Sequence, residues 1–412
     1  MPRSKYVVEV LTDNPIDGAK YLEDEFVPDH DPGTFNLDDQ YRELLTPKDY
    51  QTSTGAKYKS RALHYAIESS MARGEDWIIH LDEETRMNKD TIANCLWHCV
   101  CEDEKVKLGQ KKFGDIGQGV ILYGCQTSIE NYITTLADSY RVGDDFGKFR
   151  VQYLLHSPWI GMHGSFVVVQ NAVEKLIGFD NGLVGSITED TYFALLAWQA
   201  GVAFSWIDTF MYEQSPFSLK DFVMQRRRWF GGLLLCCQDQ SIGLRYRVCL
   251  YLMMTSWTLC IIPVLVNYFS GFISVVNSGG FGDPHGHDEW VGIYSNMKEP
   301  AGYGTFVYWY SIALGAINSV GYLLGFVKTF DIGDGPVRYF VLLFLQLMMM
   351  PIFATMEALG VITAIISPPV SGFHVVQKES GALKKRISEK DLNCISEADT
   401  NNFVDLDDDK TS

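Results

Sequence analysis

Short β-branched runs alternate with helical periods through the first half of the chain, and long unbroken apolar stretches replace them in the second. Tyr6-Val7-Val8-Glu9-Val10-Leu11 is apolar and β-branched and stops at the turn cluster Thr12-Asp13-Asn14-Pro15, predicting a buried strand that ends in a loop. After an acidic, loop-rich stretch to about Pro47, Leu63, Ile67 and Met71 recur at every fourth position with Ala62 and Ala66 beside them, the spacing of an amphipathic helix over 56–71. Trp77-Ile78-Ile79-His80-Leu81 reads as the next strand and runs into Asp82-Glu83-Glu84. Val120-Ile121-Leu122-Tyr123 and Phe166-Val167-Val168-Val169 read as further strands, and 191–200 as a helix opened by Thr188-Glu189-Asp190. Strand, helix, strand in this order predicts a parallel, doubly wound α/β sheet. Such sheets bind ligands at the carboxyl ends of their strands, where the acids after Leu81 fall.

Residues 219–237 have the pattern of an amphipathic helix carrying Arg226, Arg227 and Arg228, expected to lie along a membrane surface. Three apolar stretches follow, 248–276, 305–327 and 337–366, each longer than the ~20 residues that span a hydrocarbon core. Arg245 and Arg247 precede the first stretch, whereas the loop 277–304 holds Lys298 alone, so the front domain is expected on the cytosolic side and that loop in the lumen. Lys384, Lys385 and Arg386 would then sit on the wrong side of three simple crossings. Pro351 and Glu357 therefore point to a last stretch made of two shorter pieces, one of them interfacial or re-entrant. The expected division is a globular domain over 1–230, an interfacial helix region over 231–247, a transmembrane region over 248–366 and a tail over 367–412, disordered from about 381.

Charge and composition narrow the partners. Net charge is -17, which excludes a nucleic-acid partner, since phosphate backbones are bound by clustered cations. Hydrophobic residues make up 47% and charged residues 21%, with the apolar excess after about Val248. The 9 cysteines show no zinc-finger spacing and are expected as reduced, buried thiols. Cys236 and Cys237 lie near the expected membrane, where acylation is open to them. The opening Pro2-Arg3-Ser4-Lys5 and the short strand after it do not form the apolar core of a signal peptide.

Three features carry chemistry. Asp82-Glu83-Glu84 after a strand offers hard oxygen donors for Mn²⁺ or Mg²⁺ bridged by a diphosphate, or is a solvated acidic turn. Thr188-Glu189-Asp190 is a helix cap or a source of a general base. Gln225-Arg226-Arg227-Arg228-Trp229 is a basic face for anionic lipid, although lipid binding requires neither the Gln nor the Trp. Glycosyl transfer from a nucleotide-sugar needs cations to hold the diphosphate and a carboxylate to take the acceptor proton, and the three features match those tasks.

In their order the motifs resemble the DxD, TED and QxxRW series of the processive and lipid-linked enzymes of glycosyltransferase family two. Lys59-Ser60-Arg61-Ala62-Leu63, His80-Leu81-Asp82-Glu83-Glu84-Thr85, Thr135-Leu136-Ala137-Asp138-Ser139, Tyr212-Glu213-Gln214-Ser215-Pro216-Phe217 and Phe373-His374-Val375-Val376-Gln377-Lys378 are similar to the egghead-type β-1,4-mannosyltransferases of invertebrates, over about 6–378. The resemblance implies an α/β GT-A fold, Rossmann-like with a mostly parallel sheet, missing its first strand and followed by transmembrane helices. The first strand seen here corresponds to the second of that fold, as in an N-terminally truncated chain.

Residue by residue, the resemblance places Asp13 at the nucleoside and Lys59 with Arg61 near the diphosphate. Asp82 and Glu84 take the positions of the DxD acids and ligate the metal, with Glu84 where many relatives have Asp. Asp190 takes the general base's place, with Glu189 beside it in the substrate site. Gln225, Arg228 and Trp229 fall in the acceptor and diphosphate site, and His163 on the acceptor side. The implied donor is GDP-mannose and the implied acceptor glucosylceramide, handled by a multi-pass protein of the endoplasmic reticulum or Golgi with a cytosolic catalytic domain. A polysaccharide or dolichol-linked transferase and an inactive truncated isoform stand as alternatives. A transporter or scaffold is the non-enzymatic alternative, and it predicts more ionisable residues within the spans than Glu357.

Overall fold

The computed structural model describes residues 6–13, 41–124, 129, 131–185, 187–262, 264 and 303–367. All but the last two residues of the expected lumenal loop 277–304, the latter part of the first apolar stretch, the segment 373–378 and the tail from 368 lie outside the described residues.

Two sheets make up the front domain. β1 (Val8–Thr12) pairs in parallel with β2 (Tyr41–Leu45), from Val8 opposite Tyr41 to Thr12 opposite Leu45. A four-stranded sheet has the order β3 (Trp77–His80), β5 (Val167–Gln170), β4 (Ile116–Tyr123), β6 (Phe204–Glu213). β4 and β6 are parallel, but β5 runs antiparallel to both its neighbours, so the sheet is mixed where a mostly parallel one was expected. Between β4 and β5 the chain passes through α3 (Tyr132–Asp144), a π-turn at Asp145–Phe149 and α4 (Arg150–Leu154). That path ends where it began, at the carboxyl end of β4, instead of crossing the sheet as a single βαβ helix does. Hydrophobic runs such as Val167-Val168-Val169 specify burial on both faces and are the same for either strand direction, so the reversal is invisible in the pattern.

Helices cover the sheet. α2 (Lys89–Lys107) is capped by Asn88, whose side chain accepts from Thr91 N at 2.8 Å, and buries Cys95 and Cys99 against β4 and β6. α1 (Tyr58–Ser69) and α5 (Asn171–Ile177) flank the other side. α6 (Glu189–Gln199) sends Phe193, Ala194 and Ala197 into the core, and Phe193 stacks on Phe179 at 4.8 Å.

α7 (Leu219–Gln238) corrects two expectations. It runs unbroken through position 230, where the domain was to end. Its basic face is also not a free lipid-binding stripe, because Phe222, Arg226, Phe230, Gly231, Gly232, Cys236 and Cys237 are all buried. A basic amphipathic stripe reads the same whether its cations meet lipid or buried acids, and here the acids are present. Burial also raises the thiol of Cys237 to about 12 and closes both cysteines to acylation in this fold. The described cysteines are free thiols; Cys95, Cys99, Cys236 and Cys237 are buried, whereas Cys101, Cys249 and Cys260, expected to be buried as well, are only partly so.

α8 (Leu244–Leu259), α9 (Tyr303–Thr329) and α10 (Pro336–Ile366) follow. Among the described residues two helices are long and apolar enough to cross a membrane, over Ile312–Thr329 and Pro336–Ile366. Their apolar side chains point outward: Val337 is 77% exposed and Phe344 62%, the reverse of a soluble core helix. α10 is one continuous helix of 31 residues across Pro351, not two pieces. The helices grip the front domain closely. A Cβ on Gly325 of α9 would come 1.7 Å from Ser139 O of α3, and one on Gly360 of α10 would come 2.6 Å from Arg226 Cβ of α7. Small residues at these crossings let backbones touch, as in helix pairs of membrane proteins.

Candidate active site

The sheet register builds the site. His80 ends β3 opposite Val167, which begins β5, and Tyr123 ends β4 beside Glu213, which ends β6. Three carboxyl ends and one amino end therefore gather at a single edge of the sheet. They bring together Asp82-Glu83-Glu84, His163-Gly164-Ser165 and Glu213, which are far apart in the chain. Tyr58 and Phe166, at φ 52 and 55, hold left-handed backbone next to Lys59 and Ser165, a conformation that non-glycine residues adopt at a cost of order 1 kcal/mol.

Lys59, in the first turn of α1, reaches across this edge. Its Nζ lies 2.5 Å from Asp82 Oδ1 and donates to Gly164 O at 3.0 Å. Gly164 marks the centre: a Cβ there would stand 3.3 Å from Lys59 Nζ, 3.4 Å from Asp190 Oδ2 and 3.7 Å from Glu189 Oε1. Asp190 Oδ1 accepts from Thr191 N at 2.7 Å, so one carboxylate oxygen is anchored at the start of α6 while Oδ2 faces Lys59 and the cleft. Burial, then the charge of Asp190, push the Glu189 carboxyl up to about 7 against the pull of Lys59. Burial also raises Asp190, opposed by Thr191 N–H, Lys59, His163 and Arg228.

α7 brings the remaining groups. Its Gly232 packs so tightly on Thr188 that a Cβ would fall 2.3 Å from Thr188 Cγ2, which sets Arg228 beside the Glu189–Asp190 pair. Burial lowers the Arg228 guanidinium, and Glu189, Asp190 and Asp82 pull it back up. The three arginines of the motif divide in role. Arg226 is buried: it donates through Nε to Glu357 of α10 at 2.7 Å, through Nη2 to Asp138 of α3 at 2.6 Å and through Nη1 to Gln225 Oε1 at 2.6 Å. Arg227 donates to Ser367 O at 2.7 Å at the end of α10. Arg226 and Arg228 both line the cavity, but Arg228 is the one that Glu189, Asp190 and Asp82 act on from the strand edge.

Asp82, Glu84 and Glu213 each offer a carboxylate oxygen within 4.8 Å of the other two. Thr85 Oγ1 donates to Glu213 Oε1 at 3.2 Å and accepts from Asp82 N at 3.0 Å, and Ser165 also donates to Glu213. Burial, then the Asp82 charge, raise the Glu213 carboxyl. Three crowded carboxylates, one of them buried, form a hard-oxygen donor set that fits Mn²⁺ or Mg²⁺. Glu213 is the residue that motif reading missed. Its sequence signals are its position, as the acid that closes an alternating strand, and its place in the resembling segment Tyr212–Phe217, neither of which marks it as a metal ligand.

A cavity of 2660 Å³ joins these groups. Asp13, Lys59, Asp82, Glu84, His163, Glu189, Asp190, Gln225, Arg228 and Trp229 all line it, and it continues between the apolar helices past Trp257, Leu314, Asn318, Met350 and Ala354. Arg61 is absent from its lining and pairs with Asp13 at 2.7 Å. His163 lines the cavity through a ring fixed by Asp145 Oδ1 at 2.6 Å and packed on Phe149 at 4.3 Å.

A mixed α/β domain whose strand ends gather carboxylates and cations over a cavity shared with apolar helices, two of them long enough to cross a membrane, has the make-up of a group-transfer enzyme. The chain belongs to glycosyl transferase family group 2, whose family profile matches residues 77–350. It is 36% identical over 290 residues to Beta-1,4-mannosyltransferase egh of Drosophila melanogaster, covering 66% of this chain and 57% of that protein. It is 42% identical over 219 residues to Beta-1,4-mannosyltransferase bre-3 of Caenorhabditis elegans, covering 52% of this chain and 46% of that one, with the same figures for bre-3 of Caenorhabditis briggsae. The chain spans about half the length of these curated relatives.

Proposed function

We propose that this chain is the catalytic part of an inverting β-1,4-mannosyltransferase that moves mannose from GDP-mannose to glucosylceramide at a membrane surface. The observation that carries the reading is the meeting of Lys59, Glu189 and Asp190 around Gly164, in a cavity that opens between apolar helices. A lipid acceptor suits a site whose walls change from charged to apolar along one continuous space. The relatives' names supply the mannosyl group and the linkage. On this reading a GT-A domain that ends with α7 leads into membrane helices, with the domain cytosolic on an endoplasmic reticulum or Golgi membrane.

Asp190 Oδ2 takes the proton of the acceptor hydroxyl as its oxygen attacks the anomeric carbon, and the bond to the diphosphate breaks on the opposite face. An α-linked donor thus gives a β product. Burial serves this task, because a carboxylate with a raised pKa is a stronger base. Arg228 and Lys59 stabilise the charge that grows on the leaving diphosphate. Asp82, Glu84 and Glu213 would hold a divalent cation, whose charge, when bound, offsets that of the diphosphate. Asp13 serves the nucleoside end; Arg61, expected near the diphosphate, lies outside the cavity lining and acts by holding the Asp13 carboxylate; Gln225, Trp229 and His163 serve the acceptor, with Trp229 as an apolar platform for a sugar ring.

Membranes containing the protein, incubated with GDP-mannose and glucosylceramide, should form a mannosyl lipid, and chelation of divalent metal should abolish it. Asp190→Asn should reduce transfer by at least about 100-fold, the scale of general-base catalysis. Equal transfer by Asp190→Asn rejects the base assignment, and product only from another donor rejects the mannosyl reading.

A further inference from the structure

Arg141 belongs to none of the motifs read from the sequence, yet it lies in the cleft. It sits in the last turn of α3, lines the same cavity as Arg228 and Glu213, and its guanidinium carbon lies 4.5 Å from the ring centre of Tyr123 and 4.2 Å from that of Trp229. These two rings come from the end of β4 and from the Gln-Arg-Arg-Arg-Trp segment of α7, so three separate elements fix one cation. Among the described residues Arg141 has no carboxylate partner and no side-chain hydrogen bond. This sets it apart from Arg226, whose donors are taken by Asp138, Glu357 and Gln225. Ring contacts engage the faces of a guanidinium and leave its in-plane N–H donors for another acceptor.

The position says what that acceptor is. Glu213, one of the three clustered carboxylates, and Arg228 both lie within electrostatic range of Arg141. Two arginines facing one cavity repel each other unless an anion sits between them. Planar, bidentate donors match phosphate oxygens better than neutral hydroxyls.

We propose that Arg141 is a diphosphate-binding residue, which with Arg228 brackets the phosphates of the nucleotide-sugar while Tyr123 and Trp229 hold its guanidinium edge-on to the cleft. This inference rests on the transferase reading above and adds a catalytic residue to it. It also gives Trp229 a second task, so that one side chain ties the acceptor platform to the leaving-group site.

The test measures binding of GDP and of guanosine, with Mn²⁺ present, to the purified full chain in detergent. Arg141→Gln should weaken GDP binding by about tenfold or more, the worth of a hydrogen bond to a charged group, and leave guanosine binding unchanged. Arg141→Lys should recover part of the loss through its charge but not the bidentate geometry. Lys112→Gln, which alters an exposed cation on the domain surface, should change neither. Unchanged GDP affinity in Arg141→Gln overturns the proposal, even if its KM for the lipid acceptor rises. Equal loss of GDP and guanosine also overturns it, by making Arg141 a structural residue. A wild-type chain that binds neither compound instead removes the transferase reading beneath it.

Discussion

Arg226 joins the Gln225–Trp229 segment to the rest of the fold, and breaking that junction gives a graded prediction. Its guanidinium is 1% exposed and holds Asp138, 0% exposed, and Glu357, 19% exposed, at 2.6 and 2.7 Å. The cluster thus has one cation against two carboxylates. Arg226→Met leaves buried Asp138 and part-buried Glu357 with no counter-charge, the costliest outcome, at about 3–5 kcal/mol. Glu357→Gln keeps an acceptor oxygen and leaves a neutral Arg226–Asp138 pair, which costs about 1–2 kcal/mol. Replacing all three by apolar residues of similar volume should recover much of the Arg226→Met loss, because the desolvation penalty disappears together with the attraction. Urea unfolding of the purified protein in detergent, followed by tryptophan fluorescence, reads this order directly. Arg226→Met as stable as Glu357→Gln would refute the reasoning, since the uncompensated acids would then carry no cost.

Two further predictions follow from packing and from charge. Gly325→Ala places a Cβ 1.7 Å from Ser139 O and should lower the thermal midpoint by an overpacking cost of about 1–3 kcal/mol, whereas Gly315→Ala on the same helix meets nothing within 4 Å and should leave it unchanged. Equal effects of the two would deny the close crossing of α3 and α9. The rate of transfer at saturating substrates should rise with pH through a limb set by the raised Glu189–Asp190 pair, with Glu189 at about 7. The same shift acts on stability with the opposite sense. A folded-state pKa above the unfolded value of ~4.3 contributes stability that is complete below that value and is lost as pH rises through about 7. Unfolding midpoints measured without substrate should therefore fall from pH 5.5 to 8, and a rate limb near pH 4 would contradict the burial of the pair.

The local elements were legible because each carries its own signal. The four-residue spacing of Leu63 and Ile67, the run Trp77-Ile78-Ile79-His80 and the acids at the start of α6 all appear where the pattern puts them. Direction and depth were not legible. β5 runs against its neighbours because the chain between β4 and β5 returns to the edge it left, and no residue in Val167–Gln170 encodes that route. Arg226 and Arg228 are two positions apart on one helix and look alike in sequence. One is a buried strut because Asp138 and Glu357 arrive from α3 and α10, and the other faces the cleft. Glu213 and Arg141 escaped for the same reason, since their partners are distant in the chain and only the fold brings them to Asp82 and Trp229.

A structure determined with Mn²⁺ and a GDP-sugar bound tests the account at its centre. The metal should appear between Asp82, Glu84 and Glu213, with the diphosphate reaching toward Arg228 and the anomeric carbon on the Asp190 side of Gly164. A nucleotide bound away from that strand edge, with Asp190 out of reach of the sugar, would contradict it.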